Sequence, residues 1–207
     1  MSEPGAGAVI VAHIDELEAA LRYARGTMQP MLAKALASIM GDKRRALEWA
    51  GETPADLDET LWLAPEDWRM PGNAEADDFY LSFSLASAPC IDGQEPDTWV
   101  GTIAGFAGAG LRPSFGTDAL GQRAWKALLR AQGPLIDELV GNGFFCDPKT
   151  GDLALIIHVN REALAVGFED DALETALQPV SAATDRIASA RPILDRLVDT
   201  IKVSAAD

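Results

Sequence analysis

The chain contains few of the residue types that most often carry catalysis or bind metals. Its 207 residues include only 2 histidines and 2 cysteines. His13 and His158 stand far apart in the sequence, so a hydrolase triad or a histidine-rich metal site would need unusual partners. The sequence therefore predicts no catalytic residue, no metal site and no cofactor. It favours a non-enzymatic protein without excluding an enzyme.

Disulfides and long apolar segments are also missing. Cys90 and Cys146 are too few for a disulfide framework, which favours a reducing compartment. No stretch has the unbroken apolar length needed to span a bilayer. The short apolar stretch 8–12 follows Glu3 and has no Lys or Arg before it, unlike a signal peptide. We therefore predict a cytoplasmic protein that does not enter a membrane.

Basic residues are scarce as well. Lys and Arg number 17 against 32 Asp and Glu, and the net charge of −15 makes nucleic acids and anionic membranes poor partners. Residues 51–100 hold twelve acids against Arg69 alone. Two interpretations stay open: these acids form an ordinary solubilising surface, or they form an acidic face for a protein partner with a basic surface.

Helical periodicity dominates the N-terminal part of the chain. Apolar residues at helical spacing share one face: Ile14, Leu17, Leu21 and Ala24. Gly26 is predicted to end this helix, and a second helix is predicted from Pro30 to Ala50. Residues 1–52 are thus predicted to be a helical extension of an α+β domain at 53–207, the two forming one compact unit.

Five strands are predicted after residue 60, at 61–63, 79–85, 98–106, 144–146 and 153–159. Apolar and polar residues alternate along 79–85, which is typical of an antiparallel sheet with one buried face. The glycine-rich segment 105–110 and the residues up to Gly116 are predicted to be a loop. Pro113 disfavours a helix there, and the glycine spacing does not match a dinucleotide-binding turn.

The C-terminal part is predicted to be helical. A helix capped by Thr117 or Asp118 is expected to split at Gly133-Pro134, and Pro192 is expected to open a final helix. Five apolar residues recur every seventh position: Leu173, Val180, Ile187, Leu194 and Ile201. The part beyond Pro192 needs cover from the N-terminal helices or from a second copy. We favour the first, and hence a monomer over a homodimer.

The predicted fold class is therefore α+β: a five-stranded, mainly antiparallel sheet with helices packed on one face and extra helices at both termini. Residues between the first and second predicted strands are the predicted partner-binding set: Glu66, Asp67, Trp68, Asp77 and Asp78. Trp68 is the candidate aromatic anchor of this set, surrounded by acids. A tryptophan at such a place can equally be a core residue, and that alternative stays open.

The order helix, three strands, helix, two strands, helix resembles that of type III secretion chaperones and the related YbjN-like proteins. The hairpin at 147–159, followed by 171–177, is similar in texture to their C-terminal half. The resemblance covers about residues 60–190 and carries over no binding residue. It implies a non-enzymatic, often dimeric, chaperone-like or inhibitor-like protein-interaction module. The alternative is an enzyme or small-ligand-binding domain whose site is built from scattered residues.

Overall fold

The structure is a computed structural model that describes residues 3–72, 78–90 and 94–206. Within them lie ten α-helices: α1 (Glu3–Ala12), α2 (Ile14–Tyr23), α3 (Gln29–Leu47), α4 (Trp99–Ile103), α5 (Gln122–Ala131), α6 (Gly133–Gly141), α7 (Arg161–Glu169), α8 (Leu173–Ala176), α9 (Gln178–Ser189) and α10 (Arg191–Ala206). The strands are β1 (Trp49–Glu52), β2 (Trp62–Pro65), β3 (Ser82–Ala88), β4 (Gly110–Gly116), β5 (Phe145–Asp147) and β6 (Asp152–Ala154). They pair antiparallel in the order β1-β2-β3-β4-β6-β5. The α+β class is confirmed, with six strands in place of five.

The additional strand is β1, in a segment that was predicted to end a helix. The helix stops early because Glu48 adopts a left-handed conformation with φ 54°. Gly51 then lets β1 approach β2 closely: its φ is 140°, and a Cβ there would lie 2.1 Å from the Trp62 carbonyl oxygen. β1 lies before the predicted boundary at residue 52, yet it pairs with a strand beyond that boundary.

The second difference concerns residues 98–116. The predicted strand at 98–106 is α4, which begins where the Thr98 hydroxyl accepts the Gly101 N–H at 3.1 Å. The partner of β3 is instead β4, in the segment predicted to be a loop. The Pro113 carbonyl faces β6 and accepts the Leu155 N–H at 3.1 Å. The position of its missing N–H lies on the same side of β4, where β4 and β6 share few backbone hydrogen bonds. Pro113 is therefore tolerated in this strand.

The sheet has one buried and one partly exposed face. A row of aromatic side chains crosses the buried face from β1 to the residue before β5, with ring centroids 5.5–6.0 Å apart: Trp49, Phe83, Phe115 and Phe144. Phe83 and Ile157 are both buried. Ser82, Ser84 and Ser114 lie on the opposite face and stay partly exposed, so the alternation predicted for β3 is confirmed.

The helix after β4 divides where it was predicted to, between α5 and α6. Its start is different, because Gly121 takes the N-terminal capping position in place of Thr117 or Asp118. Asp118 instead binds the segment that leads into β3: its Oδ2 accepts the Phe79 N–H at 3.1 Å. The Thr117 hydroxyl accepts the Ala119 N–H at 3.2 Å and forms a local turn.

The C-terminal helices bury their apolar recurrence within the chain. We call its five residues the C-terminal stripe, and their exposed fractions are 6%, 1%, 1%, 0% and 0%: Leu173, Val180, Ile187, Leu194 and Ile201. Pro192 stands in the first turn of α10, as predicted. This final helix packs against α5, α6 and α9, while α8 and α9 pack against α3. The C-terminal stripe is thus covered within the chain, but the part beyond Pro192 packs mainly on α5, α6 and α9 and not on the N-terminal helices as predicted.

Candidate functional site

The residues predicted to bind a partner are placed in very different surroundings. Glu66, Asp67 and Trp68 form a single 3-10 turn after β2. Trp68 is 2% exposed, so in this conformation its ring fills the core and is not offered as a surface anchor. Asp78 is exposed, whereas Asp77 lies outside the residues that the structure describes.

The polar groups of this turn are engaged within the chain. The Trp68 indole N–H donates to Asp195 Oδ1 at 2.8 Å, and Arg191 donates to Asp67 Oδ2 at 2.5 Å. Arg69 Nε donates to Glu66 Oε1 at 2.7 Å, and this hydrogen bond lowers the pKa of the Glu66 carboxyl. The turn therefore joins β2 to α10, and part of its acidic charge is already neutralised.

The half-buried thiol of Cys146 is poorly suited to nucleophilic chemistry. Burial raises its pKa to about 11, and the neighbouring carboxylates of Asp147 and Asp152 add to that rise. A nucleophilic cysteine needs the opposite, a lowered pKa that supplies thiolate at neutral pH. At neutral pH the Cys146 side chain is therefore a protonated thiol.

Metal-binding and membrane-spanning features are missing from the described part of the chain. No three histidine, cysteine, aspartate or glutamate side chains among residues 3–72, 78–90 and 94–206 are grouped closely enough to hold a metal ion. No helix formed by those residues is both long and apolar enough to cross a bilayer.

Open clefts indent the part of the surface that the structure describes, and two of them are large. The first has a volume of about 510 Å³ and lies between the start of α3, the end of β3 and α4; its polar lining includes Arg25, Gln29, Asp58, Asp97 and Thr98. The second, of about 600 Å³, lies between α3 and the turn joining α7 to α8. Both have volumes typical of small-molecule sites.

The feature that stands out is the N-terminal helical arm, residues 3–23, comprising α1 and α2. Every residue from 7 to 20 is exposed. The arm continues through a π-helical segment, Ala24–Met28, directly into α3, so Gly26 does not end the helix as predicted. Further along, α3 buries Leu32, Leu36 and Met40 in the core. One continuous helical path therefore runs from the exposed arm into the core.

The arm carries an apolar face that stays exposed among the residues that the structure describes. We call Ile10, Ile14, Leu17 and Leu21 the arm stripe. The first three are 50%, 45% and 44% exposed, and Leu21 is half-buried. Ile14, Leu17 and Leu21 share one side of α2, and Ile10 precedes them in α1, across the non-helical backbone of His13 (φ −120°, ψ 23°). A surface helix normally turns such a stripe toward a core, so an exposed one indicates a place for a binding partner.

Charged residues flank the arm stripe in two blocks. Asp15, Glu16 and Glu18 lie beside the middle of the stripe, and Arg22 and Arg25 follow its last residue. Glu18, Leu21, Arg22, Arg25 and Gly26 line a shallow groove of about 420 Å³. Arg25 also donates to the Asp97 carbonyl oxygen at 3.2 Å, which ties the base of the arm to the loop before α4.

The helical spacing of residues 14–24 was visible in the sequence, but the exposure of the stripe was not. A helix with one apolar side is ordinarily covered, and a sequence does not show by what. Comparison with models of known protein families, with curated proteins and with solved structures gives no significant match. The resemblance to type III secretion chaperones therefore stays a prediction that rests on element order.

Proposed function

We propose that this protein is a non-enzymatic, cytoplasmic protein-interaction module that binds its partner through the arm stripe, acting as a chaperone or an inhibitor does. The observation that supports the proposal is the exposed apolar face on a helix that continues into the core. An amphipathic helix presented in this way is one of the standard elements of protein recognition. The raised pKa of Cys146 and the internal pairing of Glu66 and Asp67 agree with a non-catalytic protein.

The test is affinity capture from the cells that make the protein, using the tagged full chain and two matched variants. Leu17→Asp places a charge on the arm stripe. Ala19→Asp places the same charge on the opposite side of the same helix, with a similar cost in helix propensity. We expect Leu17→Asp to lose the captured protein and Ala19→Asp to retain it. Equal capture by the two variants would show that the arm stripe is not the binding surface.

The acidic region 51–100 is the second surface to consider. Every acidic side chain that the structure describes in it is exposed, including Asp56, Asp58 and Glu59 in the loop between β1 and β2. A basic partner bound there would associate more slowly as salt rises, because screening shortens the reach of charge attraction. Binding through the arm stripe depends far less on salt. The salt dependence of the association rate therefore separates the two surfaces.

Small-ligand binding is the alternative function, and the first cleft is the observation that favours it. Arg25, Asp58 and Asp97 place charges of both signs around a volume of about 510 Å³. The π-helical segment that carries Arg25 is of a kind found frequently at functional sites. Native mass spectrometry of the protein purified from its own cells tests this alternative. A small molecule bound in a fixed ratio supports it, and the mass of the bare chain contradicts it.

A further inference from the structure

We infer that the first cleft, between the start of α3, the end of β3 and α4, is a binding site for a carbohydrate, with one hexose ring as the unit it recognises. Its volume of about 510 Å³ lies in the range of small-ligand sites. This inference rests on the small-ligand alternative described above and gives it a ligand class. It is independent of binding through the arm stripe.

Charges of both signs face the first cleft without pairing with each other. Arg25, Asp58 and Asp97 all line it. Among the residues that the structure describes, no ion pair joins Arg25 to either carboxylate. The guanidinium donates instead to the Asp97 backbone carbonyl at 3.2 Å, which occupies only part of its fork. A ligand that bridges these groups must donate to a carboxylate and accept from a guanidinium.

Uncharged polar side chains line the rest of the cleft. They are Gln29, Ser87 and Thr98. Within the described chain, the Gln29 amide and the Ser87 hydroxyl form no hydrogen bond. The Thr98 oxygen accepts the Gly101 N–H at 3.1 Å, and its hydroxyl hydrogen can still be donated. Each hydroxyl of a sugar is both a donor and an acceptor, so it can pair with any of these groups.

Trp99 gives the cleft an aromatic surface. It is the first residue of α4, so the Thr98 cap that begins this helix also fixes the position of Trp99. The side chain is half-buried, and its indole N–H has no acceptor in the described part of the chain. A sugar ring is polar at its edge and apolar on its faces. An indole can therefore pack on such a face and donate its N–H to a hydroxyl.

Other small ligands fit the cleft less well. A free anion would meet two carboxylates in a chain whose net charge is −15, and a simple cation would meet Arg25. A free amino acid could satisfy both signs of charge, but its charged groups stand together at one end. It would leave Gln29 and Ser87 without partners. A hexose is uncharged and carries hydroxyls around its whole edge, which matches the distribution of polar groups in the lining.

The test is titration of the isotope-labelled full chain with glucose, galactose and mannose in turn, followed by the chemical shifts of its amide and indole N–H groups. We expect saturable shifts at Ser87, Thr98 and Trp99 with at least one of the three sugars. Asp58→Ala should weaken this binding about tenfold, because it removes a charged acceptor. Glu59→Ala is the matched control: it removes a neighbouring exposed carboxylate that does not line the cleft, and it should leave the affinity within about twofold.

Saturable shifts at the cleft that Asp58→Ala weakens and Glu59→Ala retains support the inference. No saturable shift with any of the three hexoses overturns it, and so does binding that Asp58→Ala leaves unchanged. Free glycine serves as a zwitterionic probe: saturation by glycine and by none of the sugars overturns the carbohydrate assignment while the small-ligand alternative stands. The proposed function is tested separately, because capture through Leu17 involves no residue of the first cleft.

Discussion

Two apolar stripes on helices of this protein follow similar spacing rules and have opposite fates. The C-terminal stripe, from Leu173 to Ile201, is buried within the chain: α8 and α9 pack against α3, and α10 packs against α5, α6 and α9. The arm stripe, from Ile10 to Leu21, stays about half exposed. Spacing therefore determines that each segment is a helix with one apolar side, while the position of that helix in the fold determines whether the chain covers it. The uncovered stripe is where a function in binding is to be sought.

Removing each region in turn gives the largest expected contrast. A chain ending at Ala190 loses α10 and its five buried apolar residues: Ile193, Leu194, Leu197, Val198 and Ile201. We expect it to lose cooperative thermal unfolding, measured by calorimetry. A chain lacking residues 1–20, studied in dilute solution, should melt within about 3 °C of the full chain. Similar losses from both deletions would show that the arm is part of the core.

Single leucine substitutions sharpen the same contrast. Leu194→Ala empties a fully buried position and should lower the free energy of unfolding by about 2–5 kcal/mol. Leu17→Ala removes the same atoms from an exposed position and should change it by less than about 0.5 kcal/mol in the monomer. Urea denaturation monitored by circular dichroism measures both. Equal costs would contradict the difference in burial.

Much of the buried part of the fold was predictable from the sequence, and one of the errors has a local physical cause. The alternation in β3, the division between α5 and α6 and the start of α10 were correct because Phe83, Pro134 and Pro192 act through nearby residues. The Thr98 cap of α4 was also visible in principle, as a threonine three residues before the N–H that it accepts. Residues 98–106 were instead predicted to be a strand.

The remaining errors needed information from distant parts of the chain. Pro113 is compatible with a strand only because its missing N–H falls where β4 and β6 pair sparsely. Gly51 suits β1 because the Trp62 backbone lies against it, 11 residues away. For the candidate site the limit is the same: the periodicity of Ile14, Leu17 and Leu21 predicted a helix, but exposure is a property of the whole fold.

A smaller effect on stability is expected where the turn after β2, which carries Trp68, contacts α10, which carries Asp195. Trp68→Phe keeps most of the buried ring but removes the N–H that donates to Asp195, and it should cost about 1–2 kcal/mol. Trp62→Phe is the matched control, because the Trp62 indole N–H makes no hydrogen bond with another described residue. Denaturation curves of the two variants give the difference. An equal or larger cost for Trp62→Phe would show that the Asp195 bond adds nothing.

The smallest expected effect is a dependence of folding stability on pH that arises from Cys146 in β5. The folded chain holds the Cys146 pKa at about 11, above the ordinary thiol value of 9.0, so the unfolded chain releases this proton first as pH rises. The contribution of Cys146 to stability is complete below pH 9 and declines between pH 9 and 11. Cys146→Ser should flatten the decline in melting temperature over that window. Parallel profiles for the two proteins would mean that the thiol is not shielded.

The unbroken helical path from Ile14 to Leu47 has a consequence for the affinity of the arm. A recognition helix joined to its domain by a loop loses rotational freedom when it binds, and that loss opposes association. Here the backbone passes through the π-helical segment into a helix anchored in the core, and the Arg25–Asp97 contact braces the junction. The arm is thus preorganised: most of its entropy of ordering has already been lost during folding. A modest apolar stripe can therefore bind more tightly than its area alone would suggest.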